Sequence, residues 1–565
     1  MAIRALNVTS NKSQTPKIQS SENTSEVPVT NEERRTDELV IALVGAVGSG
    51  VSTTARALAE ILEGEFGYSV ETIKVSDIVN EKVGLVDYHP VPADDAQRIH
   101  KLQQAGSALR ERFGEDVLAN FCIERIHMGR DEEDTAAVRR YCTIIDSLKN
   151  PGEVERLRTV YGDLFWLLGV FAPEDVRISR LKAATPNSAY IHLISDQDYD
   201  EGTEYGQSVK DTMSIADTFI RNDAQNTVQL HSVLASFLDR IFEVGVSTPN
   251  TDETAMFAAA SVAMQSACLS RQVGAVIQNQ HGELVGQGAN DVPKFDGGLY
   301  SSNLPAERDH RCYNWKSRIC HNDAEKDAIF DQIAKFARET FKETSEPEVN
   351  EFLKKVRKSR IKGLIEFSRA VHAEMAAIVS AARDGLGQVR GATLFTTTFP
   401  CHNCARHIVA AGIRKVIYIE PYPKSLALNL HNDAISTNES DEGKKVVFLQ
   451  YQGAAPRSFS RIFKPNPARK QEGGFVQRPR KRLCRFQHRR STRWWHGKRW
   501  SLCAYSRRYL MAKKPSGTQI EMLLPIPGKR TVVSASAKKA SRSLSYEKLL
   551  ESLRKKGLTR AAAKK

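Results

Sequence analysis

Two short fragments, His372-Ala-Glu374 and Pro400-Cys401-His-Asn-Cys404, constrain the fold of this chain more than any other feature. The two cysteines are three residues apart, so in the first turn of a helix both thiols can face one metal ion. The helix N-terminus also stabilises the thiolate form that binds zinc. His372 supplies a third, nitrogen ligand. The pattern predicts a zinc site with three protein ligands and a fourth position open to water, as in catalytic zinc sites.

Glu374 lies two residues after His372, a spacing at which two side chains converge only at a helix end. A helix is expected to begin at Val371-His372, which would bring the carboxylate to the metal as a carrier of protons. His-x-Glu followed by Pro-Cys-x-x-Cys is the signature of zinc nucleobase deaminases, in which that Glu is the acid/base and not a ligand. A lone Cys-x-x-Cys also occurs in structural zinc sites, but a strand before Pro400 and a helix after Cys404 favour the catalytic site.

Short apolar segments and helical segments alternate along the first half of the chain. The segment Glu38–Val44 is followed by a Gly-rich turn and then by helical periodicity over Ala55–Leu62. Further strands are predicted at Tyr141–Ile145, Leu164–Phe171 and Tyr190–Ile194. Strands that alternate with helices predict a parallel α/β sheet.

The Gly-rich turn resembles the phosphate loop of P-loop nucleotide kinases, except that Val51 stands where those proteins have lysine. Asp146, at the end of a hydrophobic strand, resembles their magnesium-side Asp, and Ala216–Asn222 resembles a late segment of small nucleotide kinases. The resemblance implies a bound nucleotide with Mg²⁺, held by backbone N–H groups at a helix N-terminus. Without the lysine, phosphoryl transfer is not expected. The alternative is a plain strand–helix turn. The candidate nucleotide-binding residues are Gly45, Gly48, Ser49, Gly50, Val51, Ser52 and Thr53.

The second half is similar to the deoxycytidylate-type deaminases over about Thr251–Pro456. The stretch Cys268–Ile277 and the Gly-rich run that ends at Asn290-Asp resemble the first helix and hairpin of that family. This resemblance implies a three-layer α/β/α domain and places Asn290 in the substrate pocket near the sugar; an ordinary turn Asn is the alternative. Ala376 stands where these deaminases usually have Asn, which argues against the monophosphate as the sole substrate.

Together, the two halves resemble the bacterial anti-phage dCTP deaminases over about Glu38–Arg457. That resemblance implies conversion of dCTP to dUTP, with dCMP to dUMP as a related activity, and a loss of dCTP that starves phage DNA synthesis. The alternatives are a polynucleotide cytidine or adenosine deaminase, a dCMP deaminase of ordinary nucleotide metabolism, a non-enzymatic nucleotide sensor and a kinase. The sensor is disfavoured because it has no need of Glu374, and the kinase because of Val51.

The formal net charge of +14 is unevenly distributed: residues 473–565 contain 26 Lys and Arg against three Glu, so the rest of the chain is acidic. Residues 473–520 combine basic residues with Trp and Tyr and have no acidic residue, a composition that suits RNA. A solvated disordered tail and an altered reading frame are the alternatives. Nine cysteines in a chain this long suggest a reducing compartment, and we expect a cytoplasmic protein with no membrane contact.

Four segments follow from these patterns: a disordered lead (1–37), a P-loop nucleotide-kinase-like domain (38–245), a deaminase domain (250–463) with an insertion at about 291–362, and a basic, mostly disordered tail (464–565). We also expect a homo-oligomer. The insertion holds four residues that could form a second, structural zinc site, although such mixtures are more often incidental. These are His310, Cys312, Cys320 and His321.

Overall fold

The structure of the chain is a computed structural model. It describes residues 38–463, apart from 94, 96, 130–139, 185–187, 224–226, 343, 386 and 423–424, together with 35–36 and short pieces between 470 and 487. All described residues belong to one compact unit, residues 1–511. The predicted disordered lead (1–37) and basic tail (464–565) lie almost entirely outside the described residues.

The first half of the chain alternates strands and helices, as predicted. Its strands are β1 (Arg35–Thr36), β2 (Leu39–Val44), β3 (Ser69–Lys74), β4 (Tyr141–Asp146), β5 (Phe165–Phe171) and β6 (Thr218–Arg221). Its helices are α1 (Val51–Gly64), α2 (Val75–Lys82), α3 (Arg98–Phe113), α4 (Val117–Met128), α5 (Pro151–Tyr161), α6 (Glu174–Ala184), α7 (Ser188–Tyr199), α8 (Val209–Ser214) and α9 (Thr227–Ile241).

Strands β2 to β6 pair in parallel in the order β6-β5-β2-β4-β3. Every residue of β2 and β5 is buried, because helices cover both faces of the sheet, and this explains why those strands are apolar from end to end. The strand order reverses beside β2, so the loop that follows β2 lies at the carboxyl edge of the sheet where α/β proteins bind ligands.

One predicted strand is wrong: Tyr190–Ile194 lies within helix α7. Ile191 and Ile194 are both buried, and their spacing of three residues is that of a helix face rather than of a strand. A short apolar run does not by itself distinguish a strand from a buried helix segment.

The second half adds further helices and strands. The helices are α10 (Thr251–Ala263), α11 (His321–Thr340), α12 (Glu346–Arg357), α13 (Ala373–Asp384), α14 (His402–Ala410), α15 (Ala427–Leu430) and α16 (Phe459–Ile462). The strands are β7 (Gly274–Gln278), β8 (Leu284–Ala289), β9 (Thr393–Thr398), β10 (Lys415–Glu420), β11 (Ile435–Ser436), β12 (Val446–Gln450), β13 (Gly453–Ala454), β14 (Lys470–Gln471), β15 (Gly474–Phe475) and β16 (Phe486–Gln487).

The second sheet has the order β11-β12-β10-β9-β7-β8. The β7–β8 hairpin and the β7–β9 pair are antiparallel, whereas β9, β10, β12 and β11 run parallel. Helix α13 packs against β8, and helix α14 leaves the end of β9. The predicted α/β fold with two sheets is confirmed. Within the predicted insertion, α11 and α12 give the polar segment helical structure of its own. None of the described helices is long and apolar enough to cross a membrane.

The end of the second half returns to the first sheet. Strand β13 pairs antiparallel with β6 at that sheet's edge, with Gly453 opposite Phe219. The Ser458 hydroxyl donates a hydrogen bond of 2.6 Å to the buried Asp217 carboxylate. The guanidinium of Arg461 lies 3.4 Å from the centre of the Trp166 ring. The predicted boundaries stay predictions, and the last segment of the predicted 250–463 domain completes the first sheet.

Candidate functional site

The two motif fragments meet where two helices begin. His372 is the N-cap of α13 and Cys401 is the N-cap of α14, so both side chains leave the start of a helix. The His372 Nδ1 atom lies 3.3 Å from the Cys401 Sγ atom and 3.3 Å from the Cys404 Sγ atom. The metal-binding atoms of the three residues all lie within 4.8 Å of one another. The prediction that a helix begins at His372 is confirmed.

The donor set fits zinc. Tetrahedral zinc with bonds of about 2.3 Å to sulfur and about 2.0 Å to nitrogen separates those two atoms by about 3.6 Å, close to the spacing observed here. One imidazole and two thiols are ligands that zinc prefers, and three of them leave one position free. His372, Cys401 and Cys404 could therefore hold a zinc ion.

The pKa values of the three side chains in this cluster shift in different directions. Interaction with the neighbouring Cys404 and His372 side chains lowers the pKa of Cys401, whereas interaction with Cys401 and burial raise the pKa of Cys404. A hydrogen bond to Cys401 raises the pKa of His372. These neighbours thus favour the thiolate form of Cys401, which is the form that binds zinc.

Glu374 lies beside the cluster in the first turn of α13. Its Oε2 atom accepts a hydrogen bond of 3.4 Å from the Cys404 Sγ atom, and the side chain is buried. Burial raises the pKa of Glu374, because the charged carboxylate loses its hydration. A buried carboxyl group next to a metal-binding cluster is placed to take up and return a proton.

A cavity of about 210 Å³ opens on this cluster, and Asn290 lies in its wall. The Asn290 Oδ1 atom accepts a hydrogen bond of 2.6 Å from the Val273 N–H, and the Nδ2 atom donates one of 2.8 Å to the Arg271 carbonyl. These bonds fix the end of the β7–β8 hairpin. The predicted contact of Asn290 with a sugar stays a prediction.

The insertion forms part of the same cavity wall. Cys312, Cys320 and His321 line the cavity together with Arg369, whose guanidinium lies 3.6 Å from the centre of the Trp315 ring. Among the residues that the structure describes, His372, Cys401 and Cys404 are the one group of three or more metal-binding side chains. The structure therefore does not bring the insertion's four candidate ligands together around a second zinc ion.

The Gly-rich turn that resembles a phosphate loop, called the phosphate loop below, follows β2 and leads into α1. Gly48 and Gly50 have φ values of 83° and 79°, a left-handed conformation that favours glycine. The Ser52 hydroxyl donates a hydrogen bond of 2.6 Å to Asp146 Oδ2. The structure thus brings Ser52 of the loop next to Asp146, the residue that resembles a magnesium-side Asp. Asn222, in the late kinase-like segment, donates a hydrogen bond of 2.9 Å to the Gly50 carbonyl.

A second cavity of about 550 Å³ lies against this loop. Its wall contains more cationic than anionic side chains, which favours an anionic ligand. Six of the predicted loop residues line it, and the seventh, Ser49, is buried behind it. The cations are Lys74, Arg98, Arg110, Lys149 and Arg180, and the carboxylates are Asp146 and Asp198.

Comparison with known proteins agrees with this geometry. Residues 249–420 match the family model of the cytidine and deoxycytidylate deaminase zinc-binding region. The C-terminal half contains a zinc deaminase domain. The prediction of a zinc-binding deaminase domain that acts on nucleotides is confirmed at this level.

Individual relatives match one half of the chain each. The deoxycytidylate deaminase of Enterobacteria phage T4 is 29% identical over 164 residues, which are 29% of this chain and 75% of the phage protein. A UPF0200 protein of Saccharolobus islandicus is 24% identical over 208 residues, which are 36% of this chain and 95% of that protein. Its kinase-like family corresponds to the N-terminal half. The crystal structure of dCMP deaminase from cyanophage S-TIM5 is 18% identical, covers 36% of this chain and 100% of that one, and has a TM-score of 0.20.

Several residues of the two cavities were not singled out from the sequence. Arg271 and Arg369 flank the deaminase cavity, and each lies within a few residues of a recognised motif, which is a usable signal. Lys149 and Asp198 contact the phosphate loop from distant parts of the chain. Lys149 follows Asp146 by three residues and could have been found from that position. Asp198 carries no such signal.

Proposed function

We propose that this chain removes the amino group of free deoxycytidine nucleotides by zinc-dependent hydrolysis, converting dCTP to dUTP and dCMP to dUMP with release of ammonia. One observation carries the proposal: a three-ligand zinc cluster and the buried Glu374 face the same cavity. His372, Cys401 and Cys404 hold the zinc ion, and Glu374 carries protons.

The side chains divide the chemistry among them. Zinc, when bound, lowers the pKa of water and so supplies a nucleophile at neutral pH. Glu374 accepts the first proton that water gives up and delivers it to the ring nitrogen, and it then transfers the second proton, from the hydroxyl group added at C4, to the leaving amino group. A bond from oxygen to C4 forms, the bond from C4 to the amino nitrogen breaks, and ammonia leaves. Val273 and Phe399 give the cavity an apolar part of its wall.

Charge at the cavity supports a nucleotide substrate. Arg271 and Arg369 line the wall, and the guanidinium of Arg369 is stacked on Trp315. A guanidinium held in one orientation suits the oxygens of a phosphate. The acidic character of residues 1–472 disfavours a polynucleotide, whose backbone needs a positive surface. Free nucleotides are therefore the proposed substrates.

A direct comparison of substrates tests this proposal. The purified chain is incubated separately with dCMP, dCTP, CTP and a single-stranded DNA oligonucleotide, and ammonia release is measured. We expect dCTP and dCMP to be deaminated fastest, with the Glu374→Ala variant as the blank. Faster deamination of the oligonucleotide would replace this function with polynucleotide deamination.

We place this activity in defence against phage, as the resemblance of the two-part chain implies. Deamination of dCTP would deplete the precursor that phage DNA synthesis consumes. Expression in infected cells should lower the dCTP pool and raise dUTP, whereas the Glu374→Ala chain should leave both unchanged. An unaltered dCTP pool during infection would leave ordinary nucleotide metabolism as the role.

The phosphate-loop half is proposed to bind a nucleotide that regulates the deaminase, without phosphoryl transfer. The Ser52–Asp146 contact and the cationic cavity support nucleotide and Mg²⁺ binding. Val51 supplies no charge to a transferring phosphoryl group. The loop can therefore still bind a nucleotide but does not support phosphoryl transfer. Incubation with labelled ATP and nucleotide acceptors should give no labelled product. A labelled nucleoside diphosphate or triphosphate would identify a kinase instead.

Two further expectations stay predictions. Sedimentation of the purified chain tests the homo-oligomer. Titration of labelled RNA with the full chain, and with a chain that ends at residue 472, tests binding of RNA by the basic tail. Equal affinities of the two chains for RNA would remove the tail from the function.

A further inference from the structure

A carboxylate of the chain itself is bound by the phosphate loop. The Val47 N–H donates a hydrogen bond of 2.7 Å to Asp198 Oδ2, and Asp198 is only 1% exposed. Asp198 lies near the end of α7, far from the loop in sequence. Backbone N–H groups in such a loop form an anion site. The site is therefore able to hold a negative charge, and Asp198 supplies one.

Lys149 accompanies this carboxylate. Its Nζ atom lies 2.8 Å from Asp198 Oδ1 and donates a hydrogen bond of 2.8 Å to the Gly45 carbonyl. Val51 occupies the position at which a phosphate loop has its own lysine. Lys149 thus brings an ammonium group to the loop from the connection between β4 and α5.

Three buried side chains at the same cavity each carry an unpaired polar atom. The Gln103 Oε1, Arg110 Nη1 and Gln207 Oε1 atoms have no hydrogen-bond partner among the described residues. The three side chains are 6%, 2% and 4% exposed and line the cavity. Burial of a polar atom without a hydrogen-bond partner is unfavourable, so such a group at a cavity indicates a polar partner that completes it. A nucleotide offers such partners, and its phosphates match the anion site of the loop.

We infer that Asp198 is an internal occupant of the phosphate site, which the phosphates of an incoming nucleotide displace, and that Lys149 then becomes their counter-ion. Two anions cannot share the loop and one ammonium group without repulsion. Phosphate binding and the Asp198 contact are therefore mutually exclusive. The inference rests on the regulatory nucleotide proposed above and names the residues through which that nucleotide acts.

Displacement of Asp198 has a route to the zinc cavity. The next residue, Tyr199, donates a hydrogen bond of 3.4 Å from its hydroxyl to the Pro421 carbonyl. Pro421 lies between Glu420, which is ion-paired with Arg271, and Tyr422. Arg271 and Tyr422 both line the zinc cavity. Movement at the end of α7 thus reaches the proposed substrate wall through one hydrogen bond.

Calorimetry with inorganic triphosphate and Mg²⁺ tests the displacement, because this probe lacks a base and is no deaminase substrate. We compare the full-length chain with its Asp198→Ala, Asp198→Asn and Lys149→Gln variants. Removal of the internal anion should tighten binding about tenfold, less for Asn than for Ala, and loss of Lys149 should weaken it about tenfold. Asp196→Asn changes the same charge on the exposed side of α7 and should bind as the unaltered chain does.

Unchanged or weaker binding in both Asp198 variants overturns the inference, and so does unchanged binding in Lys149→Gln. Melting by circular dichroism identifies a variant that has not folded, and the near-isosteric Asp198→Asn then decides. These arms need no deaminase activity. A chain that binds triphosphate as expected but releases no ammonia contradicts the proposed function alone.

The route to the zinc cavity has its own readout. Tyr199→Phe removes the hydroxyl and keeps the ring, so triphosphate should bind with unaltered affinity. Triphosphate should change the dCMP deamination rate of this variant by a smaller factor than it changes the rate of the unaltered chain. A fold-change equal to that of the unaltered chain overturns the route through Pro421.

Discussion

The zinc centre and the phosphate loop each place the start of a helix against a cavity, but they retain different parts of their chemistry. At the zinc centre, the three candidate ligands and Glu374, which carry the proposed deamination, lie within contact distance of one another. At the phosphate loop, the left-handed glycines and the Ser52–Asp146 contact remain, while Val51 has no charge. Binding by backbone N–H groups depends on conformation and tolerates a changed side chain. Catalysis depends on particular side chains and does not.

Removal of a zinc ligand should have the largest effect. Cys401→Ser replaces a thiolate with a hydroxyl that binds zinc poorly, so both zinc content and ammonia release should be lost. Elemental analysis and a dCMP assay measure the two.

Cys312→Ser is the matched control, because Cys312 lines the cavity outside the cluster. It should keep one zinc ion per chain. Loss of an ion from the control would show a second zinc site that the described geometry does not contain.

Removal of the acid/base should separate zinc binding from turnover. Glu374→Ala leaves all three ligands in place, so zinc content should stay unchanged, while the dCMP rate should fall about 10²–10⁴-fold. The exposed Glu351 on α12 provides the control variant Glu351→Ala. Full activity in Glu374→Ala, at equal zinc content, would assign the proton transfers to another group.

A bulky residue in the phosphate loop should affect the cavity beside the loop directly and the zinc cavity indirectly. In Gly50→Val, the new Cβ atom would lie 2.4 Å from the Asn222 Nδ2 atom, at a φ of +79° that a β-branched residue rarely adopts. Triphosphate binding should disappear from calorimetry, and the deamination rate should change with zinc content unaltered.

Gly282→Ala has a similar φ of +84° with no neighbour within 4 Å, so it controls for backbone strain alone. If Gly50→Val deaminates dCMP at the unaltered rate, the loop half is only a scaffold.

The smallest effect is expected at the hairpin. Asn290→Ala leaves the Val273 N–H and the Arg271 carbonyl without their side-chain partner, which should lower the free energy of unfolding by about 1–3 kcal/mol. Urea unfolding measures the loss, with the exposed Asn432→Ala as the control. A raised KM for dCMP at unchanged stability would instead support the predicted contact with the sugar.

The zinc centre could be predicted from the sequence because its parts are local. The two cysteines share one helix turn, and His372 and Glu374 share the start of another, so short motifs determine their relative positions. The packing of α13 on β8 and the departure of α14 from β9 then bring the two fragments together. The strands of the sheet could be predicted equally well where burial on both faces makes them continuously apolar, as in β5.

The contact of Asp198 with the phosphate loop could not be predicted in the same way. Asp198 contacts Val47 across 151 residues, and nothing in its neighbourhood distinguishes it from Asp196, the other acidic residue of α7. The apolar run Tyr190–Ile194 of the same helix predicts a strand, so the position of the helix against the loop does not follow from the sequence. Long-range contacts between single side chains leave no periodic pattern in a sequence.

The pairing of β13 with β6 has a consequence for dissecting the protein. A fragment cut between the two halves near residue 247 would leave β6 with an unpaired edge, because its neighbour arrives only after the entire deaminase half. The excised deaminase half would in turn carry Arg461 and its apolar surroundings without Trp166 to cover them. Exposed strand edges and uncovered apolar surface promote aggregation. The two halves are therefore best expressed with residues 453–463 moved from the second half to the end of the first half, through a short linker.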